Sequence, residues 1–187
     1  MNFFISFSIS FSIISILEGF HLVSTETLIE SSCKTFAQSD PNIDYGFCTS
    51  SMKGATAGGR ATLPALGAIS LRLVQDNLTD TRRHVREILN NSSMLSPYSR
   101  RCLHDCLELF SDAVSGVEDA ARDYDAKRFD DANVKMSAVM DAPTTCEDGF
   151  KEGPAAVASP LSKRNRDAFE LSAIALSIIN VVRRGPG

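Results

Sequence analysis

Tryptophan is absent from the 187 residues, and histidine occurs only three times, at His21, His84 and His104. His21 belongs to an apolar N-terminal stretch, and the other two fall in separate helical patterns with no acidic partner at a catalytic spacing. The chain also lacks a nucleophile elbow, a phosphate-binding glycine loop, an HExxH helix and a Cys-x-x-Cys pair. These absences remove the usual acid, base, nucleophile and metal sets, so the sequence supports neither catalysis nor a cofactor. Basic clusters are missing too. With a net charge of -4 and scattered Lys and Arg, the chain has no electrostatic footprint for nucleic acid. No apolar run reaches the roughly 20 residues of a membrane span.

The one cluster with metal-like composition is Cys102, His104 and Cys106. Helical positions two apart point to nearly opposite sides, so His104 cannot close around a metal with both cysteines. The paired carboxylates Glu118-Asp119 and Asp130-Asp131 stand in surface contexts of helical patterns, where solvation accounts for them.

What is present begins with an uncharged segment from Phe3 to Leu17, ended by Glu18 and Gly19. Its length is that of a secretory h-region, although no Lys or Arg precedes it. The expectation is a signal peptide over residues 1–24, with cleavage between 19 and 25, and secretion to the extracellular space or apoplast. In an oxidising compartment five cysteines pair and leave one over. Three N-glycosylation sequons, at Asn77, Asn90 and Asn91, accord with secretion.

Past the signal, residues 25–59 read as a small helical hairpin and a glycine-rich connector. Leu28, Ile29, Cys33 and Phe36 form one stripe, stopped at Asp40-Pro41-Asn42; Asp44 can cap a second stripe of Tyr45, Phe47, Cys48 and Met52. A Cys33 to Cys48 bridge would contribute roughly 3 kcal/mol to so small a unit. Residues 60–187 then show four long amphipathic patterns. The first carries Leu71, Val74, Leu78, Thr81, Val85 and Ile88 behind Pro64. The second, capped by Ser96-Pro97, carries Leu103, Leu107, Phe110, Val114, Val117, Ala121 and Tyr124 in alternating steps of four and three. A polar break over 125–128 precedes the third, which carries Phe129, Ala132, Met136 and Val139 and continues to Cys146 and Phe150. The fourth follows a second Ser-Pro cap signal at Ser159-Pro160 and carries Ala168, Leu171, Ala175, Ile178 and Val182.

Four such patterns with short turns predict an all-α fold, an up-and-down four-helix bundle preceded by the disulfide-closed hairpin. Antiparallel packing of the middle helices brings Cys106 and Cys146 to the end of the pair far from their turn, where a bridge is reasonable. Cys102, one turn before Cys106, reads as a buried free thiol, an alternative partner for Cys146, or an intermolecular bridge between two otherwise monomeric copies. Pro143 predicts a kink or break over 141–144.

Cys33, Cys48, Cys106 and Cys146 in that order, with Leu103-His104-Asp105-Cys106 and Cys146-Glu147-Asp148-Gly149-Phe150, resemble the plant invertase and pectin methylesterase inhibitor family. Residues 131–138 and 146–152 are similar to its pollen-allergen subgroup, which is named for invertase inhibition. The resemblance implies Cys33–Cys48 and Cys106–Cys146 pairing, with Cys102 as the extra thiol. It also implies no catalysis, but a one-to-one complex with a cell-wall or vacuolar invertase, or with a pectin methylesterase. Family invertase inhibitors insert a Pro-Lys-Phe tripeptide, at the turn between the middle helices, into the enzyme. Lys127-Arg128-Phe129 stands at that turn, without the proline. A cation for the acidic groups of a glycosidase and a ring for a sugar subsite would act by occlusion. Phe129 also opens a core seam, which packing alone explains. In pectin methylesterase inhibitors the bundle faces make the contact instead. A secreted carrier of a hydrophobic ligand, or a structural protein, is the rival reading, and it requires a large apolar cavity.

Overall fold

The computed structural model describes residues 25–56, 62–91, 95–153 and 157–185; the expected signal segment lies outside them. Among the described residues six helices follow one another: α1 (Thr25–Ser39), α2 (Tyr45–Ala55), α3 (Leu63–Asn91), α4 (Pro97–Asp125), α5 (Phe129–Lys151) and α6 (Ser162–Arg184). Within the bundle α3 packs on α4 and α6, and α5 packs on the same two, so each helix meets its neighbours in the chain and α6 closes back on α3. No described helix is long and apolar enough to cross a membrane.

Burial follows the sequence period. Leu103, Phe110, Val117, Met136, Phe150 and Leu161 are fully buried in one continuous core. Leu107 and Ala121, at intervening seam positions, are only partly covered, because the α4 stripe widens toward Cys106, Ala113 and Ala120. The hairpin brings its own cluster. Ile29, Phe36, Ile43 and Met52 pack on Leu66 of α3 and on Ile174 and Ile178 of α6, so α1 and α2 are seated on the bundle and not merely tethered to it. Cys33 is bonded to Cys48 inside this cluster, and Cys106 to Cys146 across α4 and α5.

Local chemistry sets several boundaries. Asp44 accepts the Phe47 N–H at 2.7 Å and starts α2. Ser96 accepts the Ser99 N–H at 3.0 Å with Pro97 in the first turn, and so starts α4. Ser159-Pro160, expected to start the last helix, instead forms a turn in which Ser159 Oγ accepts the Leu161 N–H at 3.1 Å. α6 begins at Ser162 with no side-chain cap of its own. Glu147 of α5 instead bonds side chains of the first turn of α6, accepting from Ser162 Oγ and Asn165 Nδ2, each at 2.7 Å. A carboxylate from a neighbouring helix thus sits at the positive end of the α6 dipole.

Of the kink or break expected over 141–144, no break is found: α5 runs on as helix through Pro143 to Lys151. An interior proline costs about 3 kcal/mol by itself. Here the ring is buried, and the turn after it is held by the Cys146 bridge and by the Glu147 bonds to α6. Cys102 is the one free cysteine among the described residues; it is 6% exposed, and its thiol donates to the Gly149 carbonyl at 3.4 Å. Tyr98 Oη donates to the same oxygen at 2.5 Å. The thiol is therefore not the alternative partner of Cys146, and a bridge to a second chain would first require the α4–α5 seam to open.

Glu170 of α6 is 9% exposed and accepts the Asp44 N–H at 2.7 Å, a polar tie between hairpin and bundle. Burial raises its pKa above the ordinary 4.5, opposed by the Asp44 hydrogen bond and by Arg166, with Asp44 and Asp167 adding to the rise. A carboxyl that holds its proton more tightly when folded gives stability that is greatest in acid. That stability is lost as pH climbs from the ordinary carboxylate range through the raised value. Glu170→Gln keeps an acceptor without the charge. The stability difference between wild type and Glu170→Gln is therefore expected to move against wild type as pH rises from 4 to 7, read by urea unfolding at each pH.

Candidate functional site

The α4–α5 connection is built by its backbone. α4 ends at Asp125, Ala126 follows as the cap residue, and Lys127 takes the left-handed conformation at φ 60. The Lys127 N–H donates to the Tyr124 carbonyl at 2.9 Å and the Arg128 N–H to the Asp123 carbonyl at 2.8 Å. That pair of bonds is the Schellman closure, which usually places glycine where Lys127 stands. A side chain there costs on the order of 1 kcal/mol, so the lysine is carried against local preference.

The three expected contact residues have different fates. Lys127 is exposed and makes no ion pair among the described residues. Arg128 is turned onto the protein's own acids: its guanidinium donates to Asp123 Oδ1, with Nε at 3.0 Å, and Nε lies 3.6 Å from Asp131. Phe129 is half-buried against the core, its ring edge-on to Tyr124 with centroids 5.2 Å apart. The turn therefore offers one unengaged cation, with a second cation and a ring held partly inward.

Asp123 is the residue that sequence reasoning passed over. It is 4% exposed and takes Lys135 Nζ on Oδ2 as well as Arg128 on Oδ1. Hydrogen bonds from Lys135 and Arg128 hold its carboxyl below the ordinary carboxylate range. Its position could have signalled it, since Ala113, Ala120 and Asp123 share the buried side of α4. Tyr124 beside it donates to the Pro64 carbonyl at 3.0 Å, and burial pushes its phenol up to about 12.

Along the flank of α4 and α5 runs a groove of about 260 Å³. Leu109, Ala138 and Val139 line it, together with Asp112, Asp119 and Asp141. It opens where Gly116 lets α5 approach; a Cβ there would lie 2.9 Å from Val139 Cγ2. The groove is acidic on an apolar floor, with Lys135 as its cation. Among the described residues no group of three His, Cys, Asp or Glu side chains could hold a metal ion, and His104 is exposed while Cys102 and Cys106 are buried. Asn90 and Asn91 are exposed at the end of α3, whereas Asn77 is half-buried in mid-helix with Oδ1 buried and unpaired.

Bundle, hairpin, bridges and turn together can be set beside known proteins. Two plane-tree proteins, each named "Putative invertase inhibitor", are similar over most of the chain. The Platanus orientalis protein is 38% identical over 87% of this chain and 94% of its own length, and that of Platanus acerifolia is 36% identical over 95% and 98%. A solved Arabidopsis pectin methylesterase inhibitor, in a mutant form, superposes with a TM-score of 0.67 at 25% identity, covering 80% of this chain and 95% of that one. The family model described as "Plant invertase/pectin methylesterase inhibitor" matches residues 27–178, which takes in both bridges, the turn and most of the bundle. By this agreement along almost its whole length, the chain belongs to the plant invertase/pectin methylesterase inhibitor family, whose members are named as inhibitors of those enzymes.

Proposed function

We propose that this chain is a secreted inhibitor of a plant invertase and that the α4–α5 turn meets the enzyme, with Lys127 foremost. The observation that carries the reading is the exposed, unengaged ammonium of Lys127 at the turn between α4 and α5, which the resemblance to family invertase inhibitors makes the expected point of contact. The 38% identity to a plane-tree protein bearing the invertase-inhibitor name supports it. A glycosidase site that works through carboxylates is closed when a cation is seated against them and the bundle blocks the approach. Secretion places inhibitor and enzyme together, and Asn90 and Asn91 are the sequons whose amides are open to a glycan.

The test titrates the oxidised mature chain against a cell-wall invertase at pH 5. Stoichiometric loss of activity is expected, and Lys127→Ala is expected to weaken inhibition about tenfold, the worth of one charge-assisted contact. Undiminished inhibition by Lys127→Ala would move the interface off the turn. One observation favours a second reading, inhibition of a pectin methylesterase: the groove bearing Asp112, Asp119 and Asp141 suits a basic partner. Inhibition of that enzyme alone, reduced by Asp112→Asn with Asp119→Asn, would put this reading first.

A further inference from the structure

We infer that Asp123 is a positioning residue for the α4–α5 turn: it commits Arg128 and Lys135 to the protein's own scaffold and leaves Lys127 as the cation that a target meets. The inference rests on the reading of the turn as the contact with the enzyme.

Asp123 holds Arg128 twice. Its backbone carbonyl takes the Arg128 N–H at 2.8 Å, and its carboxylate takes the guanidinium through Nε at 3.0 Å and through Nη2. The second carboxylate oxygen takes Lys135 from the second turn of α5. One nearly buried side chain therefore ties the last turn of α4, the connection and the start of α5 into a single unit. With Arg128 held on both sides, the backbone between it and the end of α4 at Asp125 is spanned by Ala126 and Lys127 alone, and Lys127 keeps its left-handed conformation. The helix seam itself has no use for a charge at this point; the buried neighbours on α4 are Ala120 and Tyr124. What the carboxylate adds is selection. Of the basic side chains around the turn, Arg122 pairs with Asp119 and the Asp123 carboxylate engages Arg128 and Lys135, which leaves Lys127, exposed, as the one outside these pairs. A target approaching this end then meets an ammonium at a fixed place, with the guanidinium already satisfied and unable to compete for the same carboxylates.

Two readouts test this, one of them independent of any enzyme. In Asp123→Asn the amides of Lys127 and Arg128 are expected to exchange at least tenfold faster, with those of α3 and α6 unchanged, and inhibition of invertase is expected to weaken about tenfold. Lys135→Met, which cuts the other arm at a half-exposed position, is expected to give a two- to threefold effect in the same direction on both readouts and serves where Asp123→Asn disturbs the whole fold. In the Asp123→Asn background, Arg128→Gln is expected to restore part of the lost inhibition, because it removes the competing guanidinium that Asp123 no longer holds. A full further loss would show that the enzyme reads Arg128 directly and would overturn the inference. Wild-type exchange at Lys127 and Arg128 in Asp123→Asn would overturn it equally. If the wild-type chain leaves invertase untouched, the target reading fails by itself, and the role of Asp123 in the turn is decided by the exchange rates alone.

Discussion

Replacing Cys106 and Cys146 together by alanine lowers the unfolding free energy by about 4 kcal/mol, which for a chain of this size is a fall in melting temperature of about 8–16 °C. The bridge spans a sequence separation of 40, so its loss returns to the unfolded chain the freedom of a long loop that includes the whole α4–α5 turn. The folded side loses as well. Both residues are almost completely buried, 1% and 2% exposed, and alanine leaves unfilled volume between α4 and α5. Cys146 lies three positions beyond Pro143, where the helix is weakest in hydrogen bonds, and the bridge is one of the restraints that keep α5 helical there. Both cysteines are changed because a single thiol left near Cys102 could pair with it. The hairpin bridge, with a separation of 15, removes less loop freedom and is backed by the contacts with Leu66, Ile174 and Ile178; its loss weakens the docking of α1 and α2 before it weakens the bundle. Urea unfolding of the double variant, with helicity measured in parallel, decides the point. A change below 1 kcal/mol would mean that packing alone holds α4 to α5.

The bundle was legible because its signal is periodic and repeated. Leu103 to Tyr124 keeps a helical stripe for six turns, and a stripe that long has one packing solution, with the apolar side inward. Asp44 and Ser96 were legible as caps because each satisfies donors within three residues of itself. The failures share a cause, which is that the deciding partner is far away in the chain. Ser159-Pro160 carries the local signal of a helix start, but α6 starts at Ser162, with its first-turn side chains Ser162 and Asn165 bonded to Glu147 of another helix. Pro143 carries the local signal of a break, and its turn is held by α4 and α6. The candidate site follows this rule only in part. Its location at the turn could be read from Lys127-Arg128-Phe129, whereas the division of labour among the three could not. Arg128 is withdrawn by Asp123 and Phe129 by Tyr124, each five residues back across a turn whose left-handed residue is a lysine where a glycine would have marked it; only the seating of Tyr124 on Pro64 is distant in the chain.

Gly67→Ala is a case in which local and tertiary rules predict opposite signs. Gly67 lies in the second turn of α3, and exchanging an interior helical glycine for alanine should by propensity stabilise the protein by up to about 1 kcal/mol. The added Cβ would lie 2.0 Å from Tyr124 Oη and 2.5 Å from Cζ. These atoms belong to a rigid ring whose hydroxyl is already bonded to Pro64 at 3.0 Å and which packs in a T-shaped contact on Phe129. The ring cannot yield by a simple rotation. To make room it must leave Pro64, which strands a phenol in a buried place, and it must shift the contact that seats the start of α5. Overpacking and one unmade buried hydrogen bond together cost about 3 kcal/mol, well above the propensity gain. Because Tyr124 directly precedes the turn, the damage is expected to spread: amides of Lys127 and Arg128 exchange faster in Gly67→Ala, although the substitution is on a different helix. Replacing Tyr124 by leucine in the same chain removes the clashing atoms, so the double variant should lose less than the sum of the two single losses. If Gly67→Ala is instead more stable than wild type, the Tyr124 ring has room to move, and its packing over α3 does not hold the turn in place.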